Sequence, residues 1–181
     1  MIGSGCIEVI CGPMFAGKTE ELIRRLRRAK IARQRVQAFK ASIDRRYDPA
    51  SIVSHDAATF DSLPVGSSEE LVAAVEVNAQ VVGIDEVQFF DAGIVRVAQG
   101  LANRGVRVVV AGLDVDFRAE AFESMSGLLA IAESVSKLHA VCSWCGGEAS
   151  RSRRIDGGEA RVEVGGVGRY EAVCRACFVL R

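Results

Sequence analysis

Three groups of residues in this 181-residue chain have the types and spacing for chemistry. The first is Gly12-Pro13-Met14-Phe15-Ala16-Gly17-Lys18-Thr19, which matches the pattern G-x-x-x-x-G-K-[ST] at every fixed position. Glycines at 12 and 17 let the backbone turn so that its N–H groups converge on an anion. Lys18 brings a full charge to outer phosphates, and Thr19 brings a hydroxyl for Mg²⁺. The second group is Asp85-Glu86, directly after the apolar run Val81-Val82-Gly83-Ile84. A carboxylate at the C-terminal end of a strand beside a phosphate loop can hold Mg²⁺ or its waters. A second carboxylate next to it can take the proton of an attacking hydroxyl. The third group is two C-x-x-C pairs, Cys142/Cys145 and Cys174/Cys177. Four thiolates close a tetrahedral zinc site with no open position, so such a metal is structural and not catalytic.

These residues need elements to hold them. Ile7 to Cys11 is an apolar strand, and Glu20 to Arg33 carries Leu22, Ile23, Leu26 and Ala29 at helical spacing. The phosphate loop therefore sits between a buried strand and a helix N-terminus, whose partial positive charge suits a phosphate. Val36 to Lys40 reads as a second strand and Asp44 to Pro49 as a loop able to bring an arginine near the phosphates. Gly66-Ser67-Ser68-Glu69-Glu70-Leu71 reads as a helix start, with a serine cap and early acids, and the helix runs to about Val77. Residues 93–104 fit another helix, and Val106 to Ala111 is a parallel strand buried on both faces. Met125 to Ala132 is a last helix, and Val135 to Val141 leads out of the domain. Strands alternating with helices predict an α/β class with a mostly parallel sheet over residues 1–138. Residues 139–181 form a small zinc-ribbon domain. Its middle, with Gly157-Gly158 and Gly165-Gly166, is too poor in apolar residues to fold on burial alone.

Composition excludes several classes. Lys+Arg and Asp+Glu both number 23, so no global basic field calls for a nucleic acid. No apolar run has the length of a membrane span, and the N-terminus lacks a basic region followed by an apolar one. A cytoplasmic location is expected. Six cysteines in that setting point to metal or buried thiols, with Cys6 and Cys11 as packing residues. His55 stands alone in a loop and carries little weight. The arginines at 24, 25, 27 and 28 read as a solvated helix face. Arg151, Arg153 and Arg154 leave open a second reading, a P-loop ATPase gripping a polynucleotide through its zinc ribbon. Neutral charge and the lack of an aromatic platform around those arginines weigh against it.

Taken together, several stretches resemble the small, zinc-containing (type II) thymidine kinases. They are residues 12–25, Ile43 to Tyr47, Ser54 to Asp56, Asp85 to Phe90, Gly112 to Arg118, and the cysteine pairs with Val164 to Tyr170 before the second. The resemblance implies a RecA-like domain and a zinc ribbon carrying a lasso loop that closes on the nucleoside. It implies transfer of the ATP γ-phosphate to the thymidine 5′-hydroxyl, with Mg²⁺ on Thr19 and Asp85 and a structural Zn²⁺ on the four cysteines. It casts Glu86 as proton acceptor beside Lys18. The loop 12–19, Asp44, Arg46, Asp85 and Gln88 would contact ATP. Met14, Phe89, Leu113, Phe117, Ser152 and Tyr170 would line the thymidine pocket, with backbone at Glu163, Val164, Gly165 and Gly166 pairing with the base. A homotetramer, with no nucleic acid and no membrane as partner, completes the expectation. One segment departs from the family. Where it usually continues Asp-Phe-Arg with Gly-x-Pro-Phe-Gly, this chain has Ala119-Glu120-Ala121-Phe122-Glu123, so a shifted backbone after Phe117 is expected.

Overall fold

The computed structural model describes residues 5–43, 51–53, 59–156 and 168–179. The alternating apolar runs and amphipathic stretches form a layered α/β unit. Its elements begin with β1 (Cys6–Cys11), α1 (Lys18–Ile31) and β2 (Val36–Ala41). Three short strands follow, β3 (Ser51–Val53), β4 (Thr59–Asp61) and β5 (Leu63–Val65). Then come α2 (Ser68–Ala74), β6 (Val81–Asp85), a single 3₁₀ turn (Val87–Phe89) and α3 (Gly93–Asn103). The unit ends with β7 (Arg107–Gly112), α4 (Glu123–Ile131) and β8 (Ser134–Lys137). As its residue type demands, Ser67 caps α2, accepting from the Glu70 N–H through its hydroxyl.

The central sheet has the order β5-β2-β6-β7-β1-β8, and every pairing in it is parallel. Parallel strands need covered faces, and both are covered here. On one side α1 buries Leu22, Ile23, Leu26 and Ala29 against Ile10, Ala38, Val81 and Val109. On the other, α2, α3 and α4 bring Leu71, Ile94, Leu101, Met125 and Leu128 against Val9, Phe39, Ile84, Val108 and Val110. At Gly83 in β6 the α1 side chains leave no room for a larger residue: a Cβ there would meet the Leu26 methyls at 2.6 and 2.8 Å. Val135 to Lys137, read from sequence as the start of a lead-out, belong instead to the sixth strand of this sheet, β8, paired with β1.

Beyond β8 the chain forms a small module of two hairpin-like pairs. β9 (Ala140–Val141) pairs antiparallel with β10 (Glu148–Ala149), and β11 (Arg151–Arg154) with β12 (Tyr170–Val173). A short helix, α5 (Arg175–Val179), follows the second cysteine pair's first member. The module's buried core is Ala140, Cys142, Ala149, Ala172 and Val173.

Candidate active site

β1 and β6 deliver the two halves of the site to the same edge of the sheet, with β7 between them. From β1 the chain enters the phosphate loop. Gly12 has φ 136°, and a Cβ at this position would lie 2.3 Å from the Leu138 carbonyl oxygen. Only glycine fits, on backbone conformation and on space alike. Gly17, at φ 76°, ends the loop at the N-terminus of α1. Phe15 adopts a left-handed φ of 65°, rare for a non-glycine residue. Its side chain and Ala16 pack on the core of the cysteine-bearing module. The Met14 N–H donates to the Ser152 hydroxyl at 2.9 Å, so a strand of that module grips the loop directly. Lys18 folds back and donates through Nζ to the Pro13 carbonyl at 2.7 Å.

From β6 come the carboxylates. Thr19 Oγ1 donates to the Asp85 carboxylate, 3.2 Å from Oδ2 and 3.4 Å from Oδ1, joining the loop to the acid as a shared Mg²⁺ site requires. Asp85 is buried, and burial first, then the adjacent Glu86 carboxylate, pushes its pKa up to about 7. The buried Asp85 carboxylate and the half-buried Glu86 carboxylate, with the Thr19 hydroxyl near, form a hard oxygen donor set whose mutual repulsion a divalent cation would relieve. Glu86 takes a left-handed φ of 52°, and Gln88 donates to its Oε2 at 2.5 Å.

The walls beside these groups come from three places. Met14, Phe89, Leu113 and Phe117 are half-buried around the same edge. Arg154 of β11 lies over the Phe117 ring, 3.9 Å from its centroid. It also donates through Nε and Nη2 to the Tyr170 hydroxyl at 3.1 and 2.8 Å. Sequence reasoning flagged Arg154 only as part of a basic trio; its stacking partner lies far away in the chain. Aromatic residues do accompany that trio, contrary to the sequence expectation. Arg153 stacks over Trp144 at 4.7 Å, so these rings are engaged within the protein and with their own arginines. Ser152 is buried, its hydroxyl committed to Met14. Asp44, Arg46, His55, Glu163, Val164, Gly165 and Gly166 lie outside the described residues.

The loop after Phe117 makes a tight turn. Ala119 adopts φ 64°, a conformation glycine takes without cost, and its N–H donates to the Asp116 carbonyl at 3.0 Å. The Asp116 carboxylate accepts from the Arg118 and Glu120 N–H groups, both at 2.9 Å.

The four cysteine sulfurs all lie within 4.8 Å of one another. The Cys145 and Cys174 sulfurs are 3.8 Å apart, close to the edge, about 3.8 Å, of a tetrahedron with 2.3 Å Zn–S bonds. The donor set and its spacing fit zinc.

A phosphate loop, an acid pair at the end of a parallel strand and a four-thiol module that fits zinc together define a P-loop nucleotide-binding protein. The family model for thymidine kinase matches residues 5–178. A thymidine kinase of Porphyromonas gingivalis is 56% identical over 177 residues, covering 98% of this chain and 86% of that protein. One of Rhodothermus sp. is 55% identical over 174 residues, covering 96% and 81%. One of Bdellovibrio bacteriovorus is 53% identical over 174 residues, covering 96% and 85%. The chain belongs to the thymidine kinase family.

Proposed function

We propose that the protein transfers the γ-phosphoryl group of ATP to the 5′-hydroxyl of thymidine, giving dTMP and ADP. The observation that carries this reading is Glu86, a carboxylate one residue beyond the acid that hydrogen-bonds the loop's Thr19. On this reading Glu86 is the proton acceptor beside the phosphate site. The loop's N–H groups and the helix N-terminus hold the phosphates. Lys18 exchanges the Pro13 carbonyl for phosphate oxygens and meets the charge that develops in transfer. Thr19 and Asp85 would hold Mg²⁺, which neutralises phosphate charge when bound. The 5′-oxygen forms its bond to phosphorus while the bond to the β–γ bridging oxygen breaks, and the hydroxyl proton passes to Glu86. Met14, Phe89, Leu113, Phe117 and Tyr170 pack on the nucleoside. Ser152 acts through Met14, and backbone at 163–166 pairs with the base. We assign the protein to the cytoplasm, as a homotetramer with no nucleic-acid partner. Among the described residues, no helix is long and apolar enough to cross a membrane.

The test is phosphorylation across a panel of nucleosides, with wild type, Lys18→Ala and Glu86→Gln. Thymidine should be the preferred acceptor, and Lys18→Ala should lose turnover by orders of magnitude while folded. Glu86→Gln should bind ATP and thymidine with similar dissociation constants and lose at least about a hundredfold in kcat. Turnover that requires a polynucleotide in place of a nucleoside would overturn the reading. Collapse of thymidine binding with unchanged kcat in Glu86→Gln would make Glu86 a binding residue.

A further inference from the structure

Gln88 sits in the 3₁₀ turn after β6, with its side chain buried. Both ends of its amide are engaged, with partners of opposite kind. The Leu113 N–H donates to Oε1 at 3.0 Å, and Nε2 donates to Glu86 Oε2 at 2.5 Å. Chemistry alone dictates this orientation. A main-chain N–H can only donate, so the amide oxygen must face Leu113, and the amide nitrogen is left to face the carboxylate. A flipped amide would set two donors against each other at one end and two acceptors at the other.

The space for this arrangement is supplied by Gly112, the last residue of β7. A Cβ at 112 would lie 2.5 Å from Gln88 Oε1 and 3.0 Å from a Val87 methyl. The φ of Gly112 is not in the left-handed region, so room for the amide is the reason for glycine here. Glu86, by contrast, is held at φ 52°, a conformation that costs a non-glycine residue about 1 kcal/mol. A residue in that state keeps its direction only when its surroundings impose one.

The family resemblance casts Gln88 as an ATP contact. We propose instead that Gln88 is a positioning residue: its amide fixes the Glu86 carboxylate and the Leu113 backbone in one register. The proton acceptor and a wall of the nucleoside pocket are thereby aligned as a unit, before substrate enters. In-line phosphoryl transfer depends on such alignment, and a misplacement of about 1 Å is enough to cost a hundredfold. This assignment rests on the reading of Glu86 as proton acceptor.

The experiment is a double-mutant cycle in the full chain: Gln88→Leu, Glu86→Gln and the double variant, with kcat and KM measured for ATP and for thymidine. Gln88→Leu keeps the volume and removes both hydrogen bonds. Its kcat should fall about tenfold to a hundredfold, with KM for ATP within twofold of wild type. In the Glu86→Gln background the same change should cost little more, because the group it aligns is already gone. Gln88→Glu keeps the size and the acceptor for Leu113 but sets a carboxylate against Glu86. It should also lose kcat, and it carries the test if Gln88→Leu does not fold. A raised KM for ATP with unchanged kcat would make Gln88 an ATP contact and overturn the proposal, as would losses that simply multiply in the double variant. An unchanged kcat in Glu86→Gln alone would instead sink the proton-acceptor reading, whatever Gln88→Leu does.

Discussion

The sheet domain and the cysteine-bearing module hold their shapes by opposite means. The first buries Ile10, Leu22, Leu26, Phe39, Ile84, Leu101 and Leu128 completely. Among its described residues the second buries alanines, Val173, a cysteine and Ser152, and no isoleucine or phenylalanine there is fully covered. Burial of whole aliphatic side chains contributes about 1.5–3 kcal/mol each, and the module has almost none of it. Its four clustered cysteines fit a zinc ion, and four metal–thiolate bonds would supply the cohesion that burial does not. The difference teaches that one chain can carry two stability regimes, each answering to a different perturbation.

Metal removal is the widest wedge between them. Structural zinc in such sites contributes on the order of 10 kcal/mol of folding free energy. Freshly purified, reduced protein should contain about one zinc per chain. A chelator should abolish amide-exchange protection in β9–β12 while β1, β6 and β7 stay protected. Simultaneous loss of protection in both regions, or in neither, breaks the comparison. The converse perturbation is Gly83→Ala, which drives a methyl into Leu26 and should cost about 1–3 kcal/mol in urea unfolding of the sheet domain. The zinc content of the folded protein should not change.

The smallest effect concerns surface charge, which decides little in either region. On α1, Glu21 accepts from Arg24 and from Arg25, and chiefly the Arg24 hydrogen bonds hold its carboxyl at about 2, below the usual carboxylate range. A pKa lowered by folding stabilises the folded state fully above the unfolded value near 4.5, and the contribution fades as pH falls toward 2. The Glu21 side chain is half-buried, but its main partner Arg24 is exposed and screened by solvent, so Glu21→Gln should cost less than about 1 kcal/mol at pH 7. Thermal melts of the two proteins should converge as pH falls below 4. A constant difference down to pH 2 would mean that packing, not charge, is responsible.

What could be read from the chain without its coordinates was whatever chemistry writes contiguously. The phosphate loop, Asp85-Glu86 at a strand end and the two cysteine pairs each announce themselves within eight residues, because local backbone geometry sets their spacing. Buried strands such as β6 and β7 show as unbroken apolar runs for the same reason. The edge strand β8 did not. Ser134 and Lys137 are exposed, so its sequence, Ser-Val-Ser-Lys, has no apolar run to betray it. Gln88 was visible only as a motif letter, since its partner Leu113 lies on another strand's end. The grip of Ser152 on Met14 spans 138 positions, a separation at which no periodicity operates.

That last contact has a thermodynamic corollary. Met14 is hydrogen-bonded to β11, and Phe15 and Ala16 rest on the module's core, so the phosphate loop is in direct contact with the module that carries the cysteine cluster. Two ligands that stabilise one cooperative unit are linked, and linkage is reciprocal. Whatever factor metal occupancy adds to the affinity for nucleotide, nucleotide occupancy returns to the affinity for metal. Protein stripped of metal should therefore bind nucleotide more weakly while its sheet stays folded, and nucleotide should raise the affinity for the metal by the same factor.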